Sequence, residues 1–142
     1  MNTQIQTHSG GCLCKAVRYS VKGLLRPVVA CHCTQCQKTS GHYVAATAAY
    51  RTDLQLSDAG HLKWYRSSET AERGFCSDCG GNLFWRRDNS DTISIFAGTL
   101  DQPSGLSLTE HICVADKADY YEITDGLPQQ ASAEINARIK EA

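Results

Sequence analysis

The segment Phe75-Cys76-Ser77-Asp78-Cys79-Gly80-Gly81 has two cysteines separated by two residues and followed by a glycine pair. This is the spacing of a zinc knuckle, in which both sulfurs bind one metal ion. The glycines suit such a turn because they tolerate positive φ and let backbone amides approach the sulfurs closely. Redox enzymes use the same spacing, so the pair alone is moderate evidence for a metal site.

Two further cysteine groups lie upstream of this segment. Cys12 and Cys14 follow Gly10-Gly11, and on an extended backbone residues two apart point to the same side, so both sulfurs could face one ion. The run Cys31-His32-Cys33-Thr34-Gln35-Cys36 repeats that spacing and adds a third cysteine after a turn. Three such groups in one chain favour metal binding over disulfides, since cysteines two apart can be bridged only with strain.

The three groups contain seven of the eight cysteines and divide naturally between two metal ions. We predict a closed structural site formed by Cys12, Cys14, Cys76 and Cys79, and a catalytic site formed by Cys31, Cys33 and Cys36. The second site would leave one position for water or an external ligand, as catalytic zinc sites do. The predicted cofactor is Zn²⁺, two per chain, because all-thiolate tetrahedral sets suit it; iron is the rival for the four-cysteine site.

Composition excludes several kinds of partner. The formal net charge is −1, so the chain lacks the basic field that binds nucleic acid. The first six residues lack the basic region and apolar stretch of a secretory signal, and no apolar run approaches the roughly 18 residues of a membrane span. We therefore expect no nucleic-acid or membrane partner and a cytoplasmic location, where cysteines stay reduced.

Alternating apolar residues predict a mainly β fold. Val17, Tyr19 and Val21 alternate with polar residues, and similar short runs recur along the chain at 27–30, 54–56, 62–66, 83–85, 92–96, 111–114 and 120–123. The alanine-rich run 43–50 fits either a strand or a helix. Only residues 131–140 have a helical pattern. We predict a polar tail over residues 1–9, an antiparallel β domain over 10–128 and a short C-terminal helix within a tail over 129–142.

The order of the motifs resembles the glutathione-dependent formaldehyde-activating enzyme / centromere protein V family. The resemblance rests on the three cysteine motifs, with Ser40-Gly41 after the second and Arg73-Gly74-Phe75 before the third, and on residues 97–101, His111-Ile112 and 125–128. It implies the β-tent fold, in which small antiparallel sheets are pinned by a structural zinc, and the same cysteine grouping. It also implies a carbon–sulfur lyase activity on S-hydroxymethylglutathione, the adduct of formaldehyde and glutathione.

We accordingly expect a zinc-dependent lyase-like enzyme or carrier whose partner is a small thiol, glutathione or a similar one. A thiol bound at the open position as thiolate would be a nucleophile toward an aldehyde. Two alternatives remain open: a non-catalytic zinc scaffold that binds proteins, and a redox enzyme resembling methionine sulfoxide reductase B. The redox alternative requires a reactive cysteine outside the zinc sites, and Cys113 is the candidate.

Several other residues have plainer interpretations. On a strand His32 would point away from the metal, so we expect it behind the ligands or at the surface. His42 and His111 are expected to be structural, although His42 could be an acid, a base or a fourth ligand. Cys113 is expected to be a small buried residue rather than a fourth ligand. Arg66 and Arg73 could hold a substrate carboxylate, although exposed arginines are common.

Overall fold

The computed structural model describes residues 6–139 and has a mainly β fold, as expected. Within these residues there are ten strands and one α-helix. In chain order they are β1 (Thr7–Gly11), β2 (Arg18–Lys22), β3 (Val28–Cys31), α1 (Thr34–Ser40), β4 (Val44–Tyr50), β5 (Leu54–Ser57), β6 (Leu62–Arg66), β7 (Ala71–Cys76), β8 (Asn82–Arg87), β9 (Thr92–Phe96) and β10 (Leu108–Ile112).

The strands form two sheets. A three-stranded antiparallel sheet has the order β1-β2-β5, and a seven-stranded sheet has the order β10-β3-β4-β9-β8-β7-β6. Every pair is antiparallel except β10 with β3, so the antiparallel prediction holds with one exception at a sheet edge. The alanine-rich run 43–50, which fitted either a strand or a helix, contains strand β4. This strand lies between β3 and β9 in the large sheet.

The core lies where the small sheet packs on β8 and β9. Tyr19 and Val21 of β2 are buried while Arg18 and Ser20 are only partly so, which is the alternation the sequence predicted. The ring of Phe84 is fully buried and meets Tyr19 edge to face at a centroid distance of 5.3 Å. Burial of an apolar side chain such as Phe84 contributes about 1.5–3 kcal/mol to the free energy of folding.

Strand β1 begins earlier than expected. It starts at Thr7, inside the segment assigned to a polar tail, and pairs with β2 from Thr7–Lys22 to Gly11–Arg18. Backbone hydrogen bonds form this pairing, and they do not require apolar side chains. Within residues 6–139, no helix has the length and apolar character needed to cross a bilayer.

The predicted C-terminal helix is wrong for the described residues 131–139, which are not helical; Lys140 lies outside the described part. The buried carboxylate of Glu110 on β10 accepts hydrogen bonds from the backbone N–H groups of Asn136, at 2.8 Å, and Ala137, at 3.5 Å. These amides therefore do not donate to the carbonyls a helix would use. Ile139 is buried beyond them, so tertiary contacts override the helical pattern.

The role of Glu110 gives a testable prediction. In Glu110→Ala, amide hydrogen exchange at Asn136 should accelerate by about 10- to 100-fold, because a hydrogen bond to a charged group contributes about 1.5–3 kcal/mol. Hydrogen–deuterium exchange followed by mass spectrometry measures this. Glu134→Ala, which removes an exposed carboxylate from the same segment, is the control and should leave exchange unchanged. Equal exchange in both variants would show that other contacts hold the segment.

Candidate metal centres and the adjoining cavity

Four cysteines from two distant parts of the chain meet at one end of the core. Cys12 and Cys14 follow β1, Cys76 ends β7, and Cys79 lies in the turn before β8; their four sulfurs lie within 4.8 Å of one another. The Sγ atoms of Cys12 and Cys14 are 3.6 Å apart, and those of Cys14 and Cys76 are 3.7 Å apart. A tetrahedral zinc ion with bonds of about 2.3 Å sets its sulfurs about 3.8 Å apart, so this set fits zinc.

Local backbone geometry presents these sulfurs, although by a different route from the one expected. Cys12 and Cys14 lie in a turn rather than on an extended strand: the N–H of Lys15 donates to the carbonyl of Cys12 at 3.2 Å, and Lys15 has a φ of 70°. At the knuckle, Gly80 has a φ of 74°, as its position suggested. Backbone N–H groups of Cys14 and Gly81 donate to the sulfur of Cys79 and lower its pKa to about 6.

Cys31, Cys33 and Cys36 form a second group, called here the sulfur trio, whose sulfurs also lie within 4.8 Å of one another. Cys31 ends β3, Cys33 caps the N-terminus of α1, and Cys36 lies in the first turn of that helix. The Cys33 sulfur accepts a hydrogen bond from the backbone N–H of Cys36 at 3.4 Å. The turn that brings the third sulfur round is thus the first turn of α1.

Crowding of the trio makes its ionisation depend on a cation. Hydrogen bonds from Cys31 and Cys36 lower the pKa of Cys33 to about 2. The same contacts have the opposite effect on the other two thiols. Hydrogen bonding with Cys33 raises the pKa of Cys31 to about 12, and hydrogen bonding with Cys31 and Cys33 raises the pKa of Cys36. One thiolate is therefore favoured without a cation. A positive ion among the sulfurs would favour the ionisation of all three, as in a zinc site.

A cavity of about 420 Å³ opens beside the trio. All three cysteines of the trio line it, and its remaining lining combines apolar walls, three arginines and a few small polar groups. The apolar walls come from Val29, Val44, Ala46, Ala71, Trp85, Phe96, Ile112, Ala133 and Ile135. No side chain of the described residues adds a fourth ligand atom to the trio. The trio therefore faces a space large enough for a small ligand, whereas the four-cysteine group is complete.

Arg73 lies at the wall of this cavity and is buried, with 5% of its surface exposed, so the interpretation of it as an ordinary exposed arginine is wrong. It is paired across β7 and β8 with Trp85, which also lines the cavity. Its Nη2 lies 3.7 Å from the sulfur of Cys36. Arg66, the other candidate, is ion-paired with Asp88 and Glu72 and does not line the cavity.

Cys113 lies beside the trio but outside its ligand group. It follows β10 with a left-handed backbone, φ 57° and ψ 35°, and it lines the cavity. Burial raises the pKa of its thiol, and a hydrogen bond with Cys31 partly opposes this shift. Cys113 is thus a neutral thiol at the cavity wall, and the closed four-ligand alternative for the second site is not formed within residues 6–139.

Behind the trio, two histidines form a hydrogen-bonded network that the sequence did not predict. His32 is 1% exposed, and its Nε2 lies 2.8 Å from Nδ1 of His111, whose Nε2 lies 2.7 Å from the carboxylate of Asp125. The hydroxyl of Tyr121 completes the row at 3.2 Å from Nδ1 of His32. Burial lowers the pKa of His32 to about 4, so the imidazole of His32 is neutral at physiological pH.

If both imidazoles are neutral and Asp125 is ionised, this row has one consistent set of donors. His111 donates to Asp125, His32 donates to His111, and Tyr121 donates to His32. His32 therefore stands behind the ligands, one of the two positions expected for it, and it is not at the surface. His42 is half-buried, hydrogen bonds to the hydroxyl of Tyr120 at 2.6 Å, and does not line the cavity.

Known proteins resemble this chain in sequence and in fold. The family model described as glutathione-dependent formaldehyde-activating enzyme matches residues 7–116. A Schizosaccharomyces pombe protein named as an uncharacterized lyase is 27% identical over 122 residues, covering 83% of this chain and 86% of that protein.

A crystal structure of a Rhodobacter sphaeroides protein superposes with a TM-score of 0.55 at 23% identity, covering 85% of this chain and 98% of that one, so the two share a fold. The family match spans both cysteine clusters and most of the β domain. The chain therefore belongs to the family of glutathione-dependent formaldehyde-activating enzymes.

Proposed function

We propose that this protein is a zinc-dependent carbon–sulfur lyase that acts on a small thiol and its formaldehyde adduct, with glutathione and S-hydroxymethylglutathione as the family-type pair. The observation that carries the proposal is the three-sulfur group facing a cavity of about 420 Å³, beside a four-sulfur group that needs no further ligand. The family match and the lyase name of the yeast relative support the reaction class.

The two cysteine groups have different roles in this proposal. Cys12, Cys14, Cys76 and Cys79 would hold a structural zinc ion, and Cys31, Cys33 and Cys36 would hold a catalytic one. A zinc ion held by the trio would offer a position for a substrate thiol and would lower the pKa of that thiol below its ordinary value of about 8.5. The apolar cavity walls would limit access of water to the reacting atoms.

The reaction balances without an oxidant or a reductant. In the condensation direction the substrate thiolate attacks the carbonyl carbon of formaldehyde, a carbon–sulfur bond forms, and the oxygen takes up the proton that the thiol released. In the lyase direction the same bond breaks, formaldehyde leaves and the sulfur is protonated. All eight cysteines are free, and the seven proposed ligands must remain reduced, which supports a reducing compartment such as the cytoplasm.

The division between structural and catalytic zinc predicts different losses in two variants. Cys79→Ser should unfold the domain, because structural zinc contributes about 10–16 kcal/mol in small zinc peptides while whole domains are stable by only about 5–15 kcal/mol. Cys36→Ser should lose about one zinc per chain and keep a cooperative melt, because the trio lies beside a cavity rather than in the core. Zinc analysis and thermal unfolding by circular dichroism measure both effects.

Two outcomes of that experiment would contradict the proposal. If both variants unfold alike, the trio is structural as well. A non-catalytic zinc scaffold that binds proteins then explains the chain better than a lyase does. If the wild type binds one zinc tightly and no second ion at any concentration, the catalytic centre is absent. Ser77→Ala, an exposed change inside the knuckle turn, is the matched control and should retain both ions.

The requirement for a thiolate predicts discrimination between a thiol and its thioether. Glutathione should bind zinc-loaded protein at least about tenfold more tightly than S-methylglutathione, which cannot ionise at sulfur. Isothermal titration calorimetry measures the ratio. The difference should disappear in Cys36→Ser if it arises at the trio. Equal binding of the two compounds to the wild type would remove the proposed role of the substrate sulfur.

A further inference from the structure

Arg73 has hydrogen-bonding capacity that the described part of the chain does not use. Its Nη2 donates to Oε1 of Gln35 at 3.4 Å and approaches the sulfur of Cys36 at 3.7 Å. Its Nε and Nη1 atoms are buried and have no hydrogen-bond partner within residues 6–139. Leaving buried N–H groups unpaired costs stability, so such groups in a cavity wall indicate a missing acceptor.

The charges around the cavity favour an anionic acceptor. Arg26, Arg73 and Arg87 line it, and its described lining contains no Asp or Glu. Three thiolates and one divalent ion together carry a single negative charge, so the three arginines leave the cavity positive even when the trio is loaded. Arg26 donates to the backbone carbonyls of Pro27 and Ala46, and Arg87 is exposed. Arg73 is therefore the buried cation with donors to spare.

The position of Arg73 restricts how the acceptor can be joined to the thiol. Because Nη2 lies 3.7 Å from the sulfur of Cys36, a group bound at Nε or Nη1 lies close to the trio. The cavity of about 420 Å³ is near the lower end of the range of about 300–1,000 Å³ for ligand pockets. A guanidinium binds a carboxylate through a planar edge, either Nε with Nη2 or Nη1 with Nη2, so each unpaired atom of Arg73 shares such an edge with Nη2.

We propose that Arg73 binds a carboxylate of the substrate, and that the substrates are short mercaptocarboxylates, in which a few carbon atoms separate thiol and carboxylate. This inference rests on the proposed function, since the thiol end must lie at the trio. It deepens that function by naming an anchor and by placing short mercaptocarboxylates ahead of glutathione, the family-type thiol. Arg73 touches the substrate in this proposal, but it takes no part in bond formation.

A competing role for Arg73 is to neutralise the thiolates of the trio. That role needs only a positive charge, whereas carboxylate binding needs the planar fork, and Arg73→Lys keeps the first while losing the second. Two ligands of nearly equal size separate the roles further: 3-mercaptopropionate has the carboxylate, and 3-mercaptopropionamide replaces it with a neutral amide. Arg66→Lys is the matched control, because Arg66 is an exposed arginine outside the cavity.

Isothermal titration calorimetry of zinc-loaded protein, with zinc retention measured afterwards, tests the inference. The wild type and Arg66→Lys should bind 3-mercaptopropionate about 10- to 100-fold more tightly than its amide, the effect expected of hydrogen bonds to a charged group. In Arg73→Lys this preference should fall to about threefold or less. Glutathione should bind the wild type no more tightly than 3-mercaptopropionate does.

The failures of this inference and of the proposed function are distinguishable. If neither small thiol nor glutathione binds the wild type, the proposed function fails. If thiols bind but acid and amide bind equally, or if Arg73→Lys weakens both alike, carboxylate recognition by Arg73 is wrong and the lyase proposal stands. Glutathione binding more than about tenfold tighter than 3-mercaptopropionate would overturn the short substrate class.

If Arg73→Lys does not retain zinc, a crystal structure of the wild type with 3-mercaptopropionate decides the matter. The carboxylate should lie within hydrogen-bond distance of Nε or Nη1 of Arg73. A carboxylate turned toward solvent or toward Arg87 would overturn the assignment.

Discussion

Thiolates packed within 4.8 Å of one another repel unless a cation lies among them, and this constraint acts at two places in the chain. At the first, Cys12 and Cys14 extend from β1 of the small sheet, while Cys76 and Cys79 belong to the hairpin of β7 and β8 in the large sheet. A cation bound there joins the two sheets directly. The buried contact of Tyr19 with Phe84 lies in the same core, so a metal ion bound there would hold the same interface as this packing.

The second of these places, the sulfur trio, has different surroundings from the four-cysteine group. The sulfur trio comes from one short segment, the end of β3 and the first turn of α1, and it needs no distant strand to assemble. A cavity with apolar walls and arginines lies beside it in the place of a fourth cysteine. The two cysteine groups therefore differ in that one offers four sulfurs, whereas the other offers three and faces a cavity.

The trio is also supported from behind. His32 lies between two of its cysteines and points into the row formed with His111, Asp125 and Tyr121. This row joins β3 to β10, its parallel neighbour, and to the segment that follows. The backbone N–H of His32 also donates to the carbonyl of Ile112 at 3.0 Å. Fixing His32 on this side restricts the backbone that carries Cys31 and Cys33 on the other.

Features that depend on local spacing could be predicted from the chain before its fold was known. The intervals between cysteines predicted which sulfurs could share an ion, and alternating residues such as those of β2 predicted a β fold, because both depend on neighbours along the chain. Features that depend on contacts between distant segments could not be predicted in this way. Arg66 and Arg73 look alike in sequence, but only Arg73 reaches the cavity, since the neighbouring strands bury one arginine and leave the other exposed. The helical pattern after residue 130 gave way to the carboxylate of Glu110, distant in sequence, because a backbone N–H bonds to the acceptor that packing brings to it.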